Sequence, residues 1–276
     1  LAKTLGELAA AGKATFGIVV KDLQTGEAVK LNATTTMHAA STMKTAVLLE
    51  ALRRVEEGTL SLATEIPVVD CFPSAVDGTP FRIELEDEAD ERIAPFIGRS
   101  ARVDFVAREM IVRSSNLATN LMLGLCPPKD VQRFVDALGA PGVKVRRMVA
   151  DERAFEAGYS NETDAEGMAA LMEAALRSPK LSAASRRLAF EILAAQEFND
   201  QIPAGLPKQA GVVVAHKTGS ISKVQHDAAI LRLPDGRQFV VVLLATDFGA
   251  NEEGRKRVVE ATRKMSRAVW EAVVAP

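Results

Sequence analysis

The chain has 276 residues, with 34 Lys plus Arg against 36 Asp plus Glu and a formal net charge of -2. That balance excludes a bulk electrostatic grip on nucleic acid or on an anionic membrane, and no run of 18 apolar residues offers a membrane span. A composition of 47 % hydrophobic and 25 % charged residues is that of a globular protein, long enough for one large domain or two intimately packed ones.

The elements read as follows in chain order. Leu1 to Ala11 has helical spacing of Leu1, Leu5, Leu8 and Ala9. Thr15 to Lys21 is a strand, Gln24-Thr25-Gly26 a turn, and Glu27 to Leu31 the return of a hairpin. Thr34 to Ala40 is a loop entering a helix that ends near Gly58. The acidic run Glu84 to Glu91 reads as a solvated surface segment, since it lacks the glycine turn of a calcium loop. Helices follow over Val103 to Ile111, Leu117 to Leu125 and Lys129 to Leu138, with a polar break at Arg113 to Asn116. Val143 to Asn161 reads as a long loop, and Ala165 to Leu176 and Ala183 to Ala194 as helices. Then come strands over Val212 to Ala215, Asp227 to Leu233 and Gln238 to Thr246, and an amphipathic helix from Asn251 to Val274. Strands at both ends with helices between predict an α+β protein in which the first and last segments share one sheet. The expected lobes are a sheet lobe, 1–48 with 200–276, and an all-helical lobe, 49–199.

Cys71 and Cys126 lie too far apart for a CxxC or zinc motif and read as buried free thiols. His38, His216 and His226 are scattered, so no metal and no other cofactor is expected. The chain opens at Leu1 without a charged-then-apolar leader, as a processed product would.

Three short motifs carry chemistry. Ser41-Thr42-Met43-Lys44 places a hydroxyl and an amine three residues apart on one face of a helix start, where backbone N–H groups favour developing negative charge. A partly desolvated lysine, or one beside a second cation, can take the serine proton. Ser114-Ser115-Asn116 interrupts two helices with a hydroxyl able to relay a proton and an amide able to accept from a lysine. Lys217-Thr218-Gly219, at the end of an apolar strand, offers a cation, a hydroxyl for a carboxylate and a glycine against which a substrate can lie. Each is commonplace alone. Their order and context make the signature of serine penicillin-recognising enzymes.

On these residues the chain resembles the class A β-lactamase and penicillin-binding-protein superfamily, and within it is most similar to class A β-lactamase-related serine hydrolases. Asn120 and the run Leu121-Met122-Leu123 fit the same pattern. The resemblance implies the β-lactamase/transpeptidase-like fold, with a five-stranded antiparallel sheet flanked by terminal helices. It implies Ser41 as nucleophile and Lys44 as base or centre of the proton network. Ser114 would pass a proton to the leaving nitrogen, and Asn116 would hold substrate and Lys44. Lys217 would tune Ser114, Thr218 would bind a carboxylate, and the N–H groups of Ser41 and Ser220 would form the oxyanion hole. The substrate expected is a small anionic β-lactam or acyl-peptide, the protein a monomer, and its compartment the periplasm or exterior.

The chain departs from the family in three places. Ser115 stands where the second motif usually has aspartate. No Glu-x-x-Leu-Asn segment exists between 143 and 165, which leaves Asp151 and Glu152 as candidates for activating the deacylating water. Ala228 stands where an arginine is often supplied, so Lys223 or His226 would provide the positive charge, with His226 as structural or substrate-positioning. The readings left open are a β-lactamase, a D-alanyl-D-alanine peptidase or esterase with slow β-lactam release, and a non-catalytic domain that binds cell-wall peptides or a protein partner. A serine glutaminase is disfavoured by the late Lys-Thr-Gly motif.

Overall fold

A computed structural model describes every residue except 86, 209, 210, 275 and 276. Helix α1 (Ala2–Gly12) buries Leu5 and Ala9 and leads into strands β1 (Thr15–Asp22) and β2 (Ala28–Leu31), which pair as the expected hairpin. A two-residue strand β3 (Met37–His38) and a 3₁₀ turn over Ala40–Met43 precede helix α2 (Lys44–Glu56), buried from Lys44 through Leu52. Strands β4 (Glu65–Pro67), β5 (Cys71–Pro73) and β6 (Pro80–Arg82), helix α3 (Asp87–Asp90) and strand β7 (Ser100–Arg102) follow. Next are helices α4 (Val103–Val112), α5 (Asn116–Leu125) and α6 (Pro128–Ala137), the one-turn helix α7 (Glu152–Glu156) and strand β8 (Glu162–Thr163). Helices α8 (Ala165–Arg177), α9 (Ala183–Ala194) and α10 (Ile202–Gly205) lead to strands β9 (Val213–Ile221), β10 (Val224–Arg232) and β11 (Gln238–Thr246) and the closing helix α11 (Glu252–Val269).

The five long strands form one antiparallel sheet in the order β2-β1-β11-β10-β9, which joins the two ends of the chain through β1 and β11. β11 is apolar along nearly its whole length because both its faces are covered. Val240, Val242 and Leu244 enter a core shared with α2, α4, α5, α8 and α9, whereas Phe239, Val241, Leu243 and Ala245 meet α1 and α11. The alternation of side chains along a strand divides one run into two cores. The helical lobe also carries two short ladders, β4–β7 and β5–β6, and β3 pairs with β8.

Several boundaries differ from expectation for tertiary reasons. β9 runs unbroken through Lys217-Thr218-Gly219 to Ile221, because β10 starts at Val224 and pairs with it along its length. The long loop contains α7, capped by the Asp151 side chain accepting from Ala154 N–H. Asp90 overturns the solvated reading of the acidic run at that position, since it is buried beneath α5; position 86 of that run lies outside the described residues. Both cysteines are free thiols, with Cys71 half-buried and Cys126 buried, where burial pushes the Cys126 thiol up to about 12.

Candidate active site

Ser41 sits in the 3₁₀ turn that opens α2. The turn is fixed from three sides. Ala39 N–H donates to Asn161 O at 2.9 Å, Thr42 Oγ1 donates to Ala39 O at 2.7 Å, and Ala40 holds a φ of 45°. Strand β9 comes close enough that a Cβ on Gly219 would lie 3.1 Å from the backbone nitrogens of both Ser41 and Thr42. Glycine is what lets the strand and the turn meet, so the Ser41 and Ser220 backbones flank one space.

Lys44 and Lys217 are buried, yet their ammonium groups converge on the second motif. Lys44 Nζ donates to Ser114 O at 2.5 Å, to Asn116 Oδ1 at 2.9 Å and to Ser114 Oγ at 3.3 Å. Lys217 Nζ donates to the same Ser114 Oγ at 2.9 Å and to Thr218 O at 2.8 Å. A hydroxyl that accepts twice keeps its own proton for a third partner. Burial, and then the charge of Lys44, hold the Lys217 ammonium well below the ordinary lysine range, partly offset by Asp227. Strand alternation produces this aim, because Lys217 lies opposite Ala228 and so faces the core shared with the helices.

Ser114 adopts a φ of 60°, a left-handed conformation that costs a non-glycine residue about 1–3 kcal/mol. Part of what holds it is below the turn. The buried Ser115 caps α5 by accepting from Ala118 N–H at 2.9 Å, and donates to Asp90 Oδ1 at 2.5 Å. The same carboxylate oxygen accepts from Leu117 N–H at 3.3 Å. The charge missing from the centre of the motif thus comes from α3, a contact that nothing in the local sequence signals.

The loop between α6 and β8 is anchored to α5 by Asn120, whose amide donates to Val149 O at 3.0 Å and accepts from Val149 N–H at 2.8 Å. This bracket places an apolar residue, Val149, in the wall of the cavity that holds Ser41. Asp151 is buried and its carboxylate is filled by Ser74 Oγ (2.8 Å), Ala75 N–H (2.8 Å) and Ala154 N–H (3.1 Å). Its role in the fold is to pin the loop to the turn that follows β5 and cap α7, and it does not line the cavity. Glu152 does line it, with an exposed side chain.

The cavity has a volume of about 700 Å³ and brings together Ser41, Ser114, Asn116, Thr218, Gly219, Ser220 and Glu152. His226 is not among its lining residues. Wholly buried, its Nε2–H donates to His38 O at 2.9 Å and its Nδ1 accepts from Ala245 N–H at 3.1 Å, and burial lowers its pKa to about 4. It ties β10 to the segment before Ser41, which is the structural one of the two roles expected of it, and its burial leaves no face for positioning a substrate. Asp227, its sequence neighbour, faces the opposite side of the sheet and pairs with His216 Nδ1 at 2.8 Å. Lys223 is exposed at the β9–β10 turn and lies outside the cavity lining. The cation on the sheet wall is instead Arg255, from the first turn of α11, bonded to Ser220 Oγ and lining the cavity. Sequence reasoning passed over it because an arginine on an amphipathic helix reads as solvated surface.

Among the described residues no helix is long and apolar enough to cross a membrane, and no group of three or more His, Cys, Asp or Glu could hold a metal ion. Comparison with solved structures finds the same fold at low identity. A structure of PBP-A aligns with a TM-score of 0.81 at 23 % identity, covering 99 % of this chain and 96 % of that one. A β-lactamase from Xanthomonas campestris pv. campestris aligns at 0.83 and 23 % identity, covering 98 % and 96 %. The class A β-lactamase of the last common ancestor of Gram-negative bacteria aligns at 0.83 and 23 % identity, covering 98 % of each chain. A search of curated protein sequences returned no match. The family model described as the β-lactamase enzyme family matches residues 1–273, and the chain belongs to that family.

Proposed function

We propose that this protein is a serine amide hydrolase that forms an acyl-enzyme on Ser41 with a β-lactam or an acyl-peptide and releases it slowly. The observation that carries the reading is the position of Ser114 Oγ, 2.9 Å from Lys217 Nζ and 3.3 Å from Lys44 Nζ, in the cavity that also holds Ser41. Ser41 Oγ attacks the carbonyl carbon while its proton passes to Lys44, which takes it in the state where its amine is neutral and the charge shared by the two buried lysines rests on Lys217. The N–H groups of Ser41 and Ser220 receive the oxyanion. The C–N bond breaks as Ser114 Oγ–H protonates the leaving nitrogen, and Ser114 is reprotonated through the lysines. Thr218, Ser220 and Arg255 receive the substrate carboxylate, and Asn116 its amide. Water then cleaves the ester.

Slow release follows from the loop. Its cavity residue held by Asn120 is Val149, which cannot activate water, and the Asp151 carboxylate is filled by three donors. A second reading, full β-lactamase turnover, rests on Glu152, the carboxylate that this loop contributes to the cavity lining. Incubation with a chromogenic cephalosporin and with benzylpenicillin, followed by intact mass, separates the two. A persistent adduct that Ser41→Ala abolishes supports slow release. Rapid turnover that Glu152→Gln converts into a trapped adduct supports the second reading. No adduct and no turnover overturns both and leaves a binding domain.

A further inference from the structure

The cavity wall built from the loop before β8 contains a charged group that forms no ion pair among the described residues. Arg147 is only 8 % exposed, and its backbone is bracketed by the Asn161 amide, which accepts from Arg147 N–H and donates to Arg147 O, both at 3.1 Å. Its guanidinium lies 5.2 Å from the centre of the Phe155 ring. It donates to Met148 O at 3.0 Å, while its buried Nε has no hydrogen-bond partner among the described residues. No ion pair among the described residues includes it. Nearby carboxylates are committed elsewhere: Asp151 to its three donors, and Glu162 to Arg146 at 3.0 Å. Asp151 and the exposed Glu152 act on Arg147 only at longer range. Burying a guanidinium with donors unfilled is costly unless a ligand supplies the acceptor.

A second donor stands beside it. His38 Nδ1 accepts from Ala40 N–H at 3.0 Å, which puts the ring proton on Nε2. Burial, and then the Arg147 charge, lower the His38 pKa, with Glu162 acting the other way, so the ring stays neutral and keeps that single N–H. His38 meets Phe155 edge to face at 6.2 Å, and His38, Arg147 and Phe155 all line the cavity.

We propose that Arg147 and the Nε2–H of His38, gathered around Phe155, form an anion subsite that takes a carboxylate carried on the acyl portion of the substrate. The assignment to the acyl portion rests on the hydrolase reading above, in which Thr218, Ser220 and Arg255 hold the other carboxylate on the sheet wall. The preferred substrate is then dianionic, with one carboxylate on each side of the scissile amide. A fork of guanidinium donors suits a planar carboxylate.

The test compares acylation by benzylpenicillin with acylation by its α-carboxy analogue, which differs only in a carboxylate on the acyl side chain. In the native protein the analogue is preferred. In Arg147→Gln the ratio of second-order acylation rates, analogue over parent, falls about tenfold, and in His38→Phe it falls by a smaller factor. Arg147→Lys restores part of the ratio and serves as the second variant where Arg147→Gln does not fold. A ratio unmoved by Arg147→Gln or Arg147→Lys overturns the subsite and leaves the hydrolase reading intact. Calorimetric titration of Ser41→Ala with both penicillins reads the subsite without the chemistry. Tighter binding of the analogue, lost on adding Arg147→Gln, upholds it even where the native protein forms no adduct, whereas equal or absent binding of the two overturns it.

Discussion

The Asp90–Ser115 contact offers the sharpest test of how the site is held. Asp90 is 1 % exposed, and one carboxylate oxygen accepts from Ser115 Oγ–H at 2.5 Å and from Leu117 N–H at 3.3 Å. A hydrogen bond to a charged group contributes about 1.5–3 kcal/mol, and a buried hydroxyl left without its acceptor costs about 1–3 kcal/mol. The second bond is long and adds little. Asp90→Ala therefore loses about 3 kcal/mol, a fall of roughly 6–12 °C in Tm for a chain of this size. Asp90→Asn, which keeps an acceptor but not the charge, falls between. Because Ser114 and Asn116 flank Ser115, acylation slows as well as stability falling. The two effects separate in the exchanged pair. Ser115→Asp alone forces two carboxylates together in the interior, while Ser115→Asp with Asp90→Ser keeps one carboxylate and one hydroxyl and recovers both Tm and acylation rate in part. Thermal unfolding and intact-mass acylation rates on the native protein and these four variants decide it. Asp90→Ala melting within about 1 °C of the native protein and acylating at the native rate would refute the reasoning.

Lys217 titrates below the ordinary lysine range because of burial and Lys44, so the alkaline limb of the acylation pH profile lies lower than a free lysine would set it. Lys217→Arg moves that limb upward, and a limb left in place by that variant assigns it to another group. His226 has a folded pKa of about 4 against 6.5 unfolded, so the unfolded chain binds more protons between those values. Stability is therefore lost as pH falls from about 6.5 towards 4, on the order of 2 kcal/mol between pH 7 and 5. His226→Gln flattens the pH dependence of urea unfolding midpoints over that range, and an unchanged slope contradicts the assignment. Val149→Glu places a carboxylate in the cavity wall on a backbone that Asn120 already fixes, and so hastens decay of the Ser41 adduct at least tenfold in a single-turnover chase. An adduct as long-lived as the native one argues that the wall position, and not only its chemistry, is unsuited to water activation.

Much of the fold and the motif set was legible in the chain because both are local. Gln238 to Thr246 reads as a strand from its apolar run, and it is one, to the residue. The relation of Ser41 to Lys44 follows from helical spacing, and the break at Arg113 to Asn116 marks the turn between α4 and α5. What spacing does not contain is a partner distant in sequence. His226 and Asp227 are neighbours in the chain, but a strand points neighbours to opposite faces, and pairing sends one to His38 and the other to His216. Asp151 and Glu152 were equivalent on paper, and capping of α7 together with contacts from residues 74 and 75 buried one and left the other in the cavity. Asp90 looked solvated among its acidic neighbours, and Arg255 looked like helix surface. The order of elements and the residue types able to do acyl transfer are written in the chain alone, since period and motif are properties of neighbours along it. Which carboxylate, which cation and which histidine face the cavity is a matter of folding, because it depends on charges and donors brought together from elements dozens of residues apart.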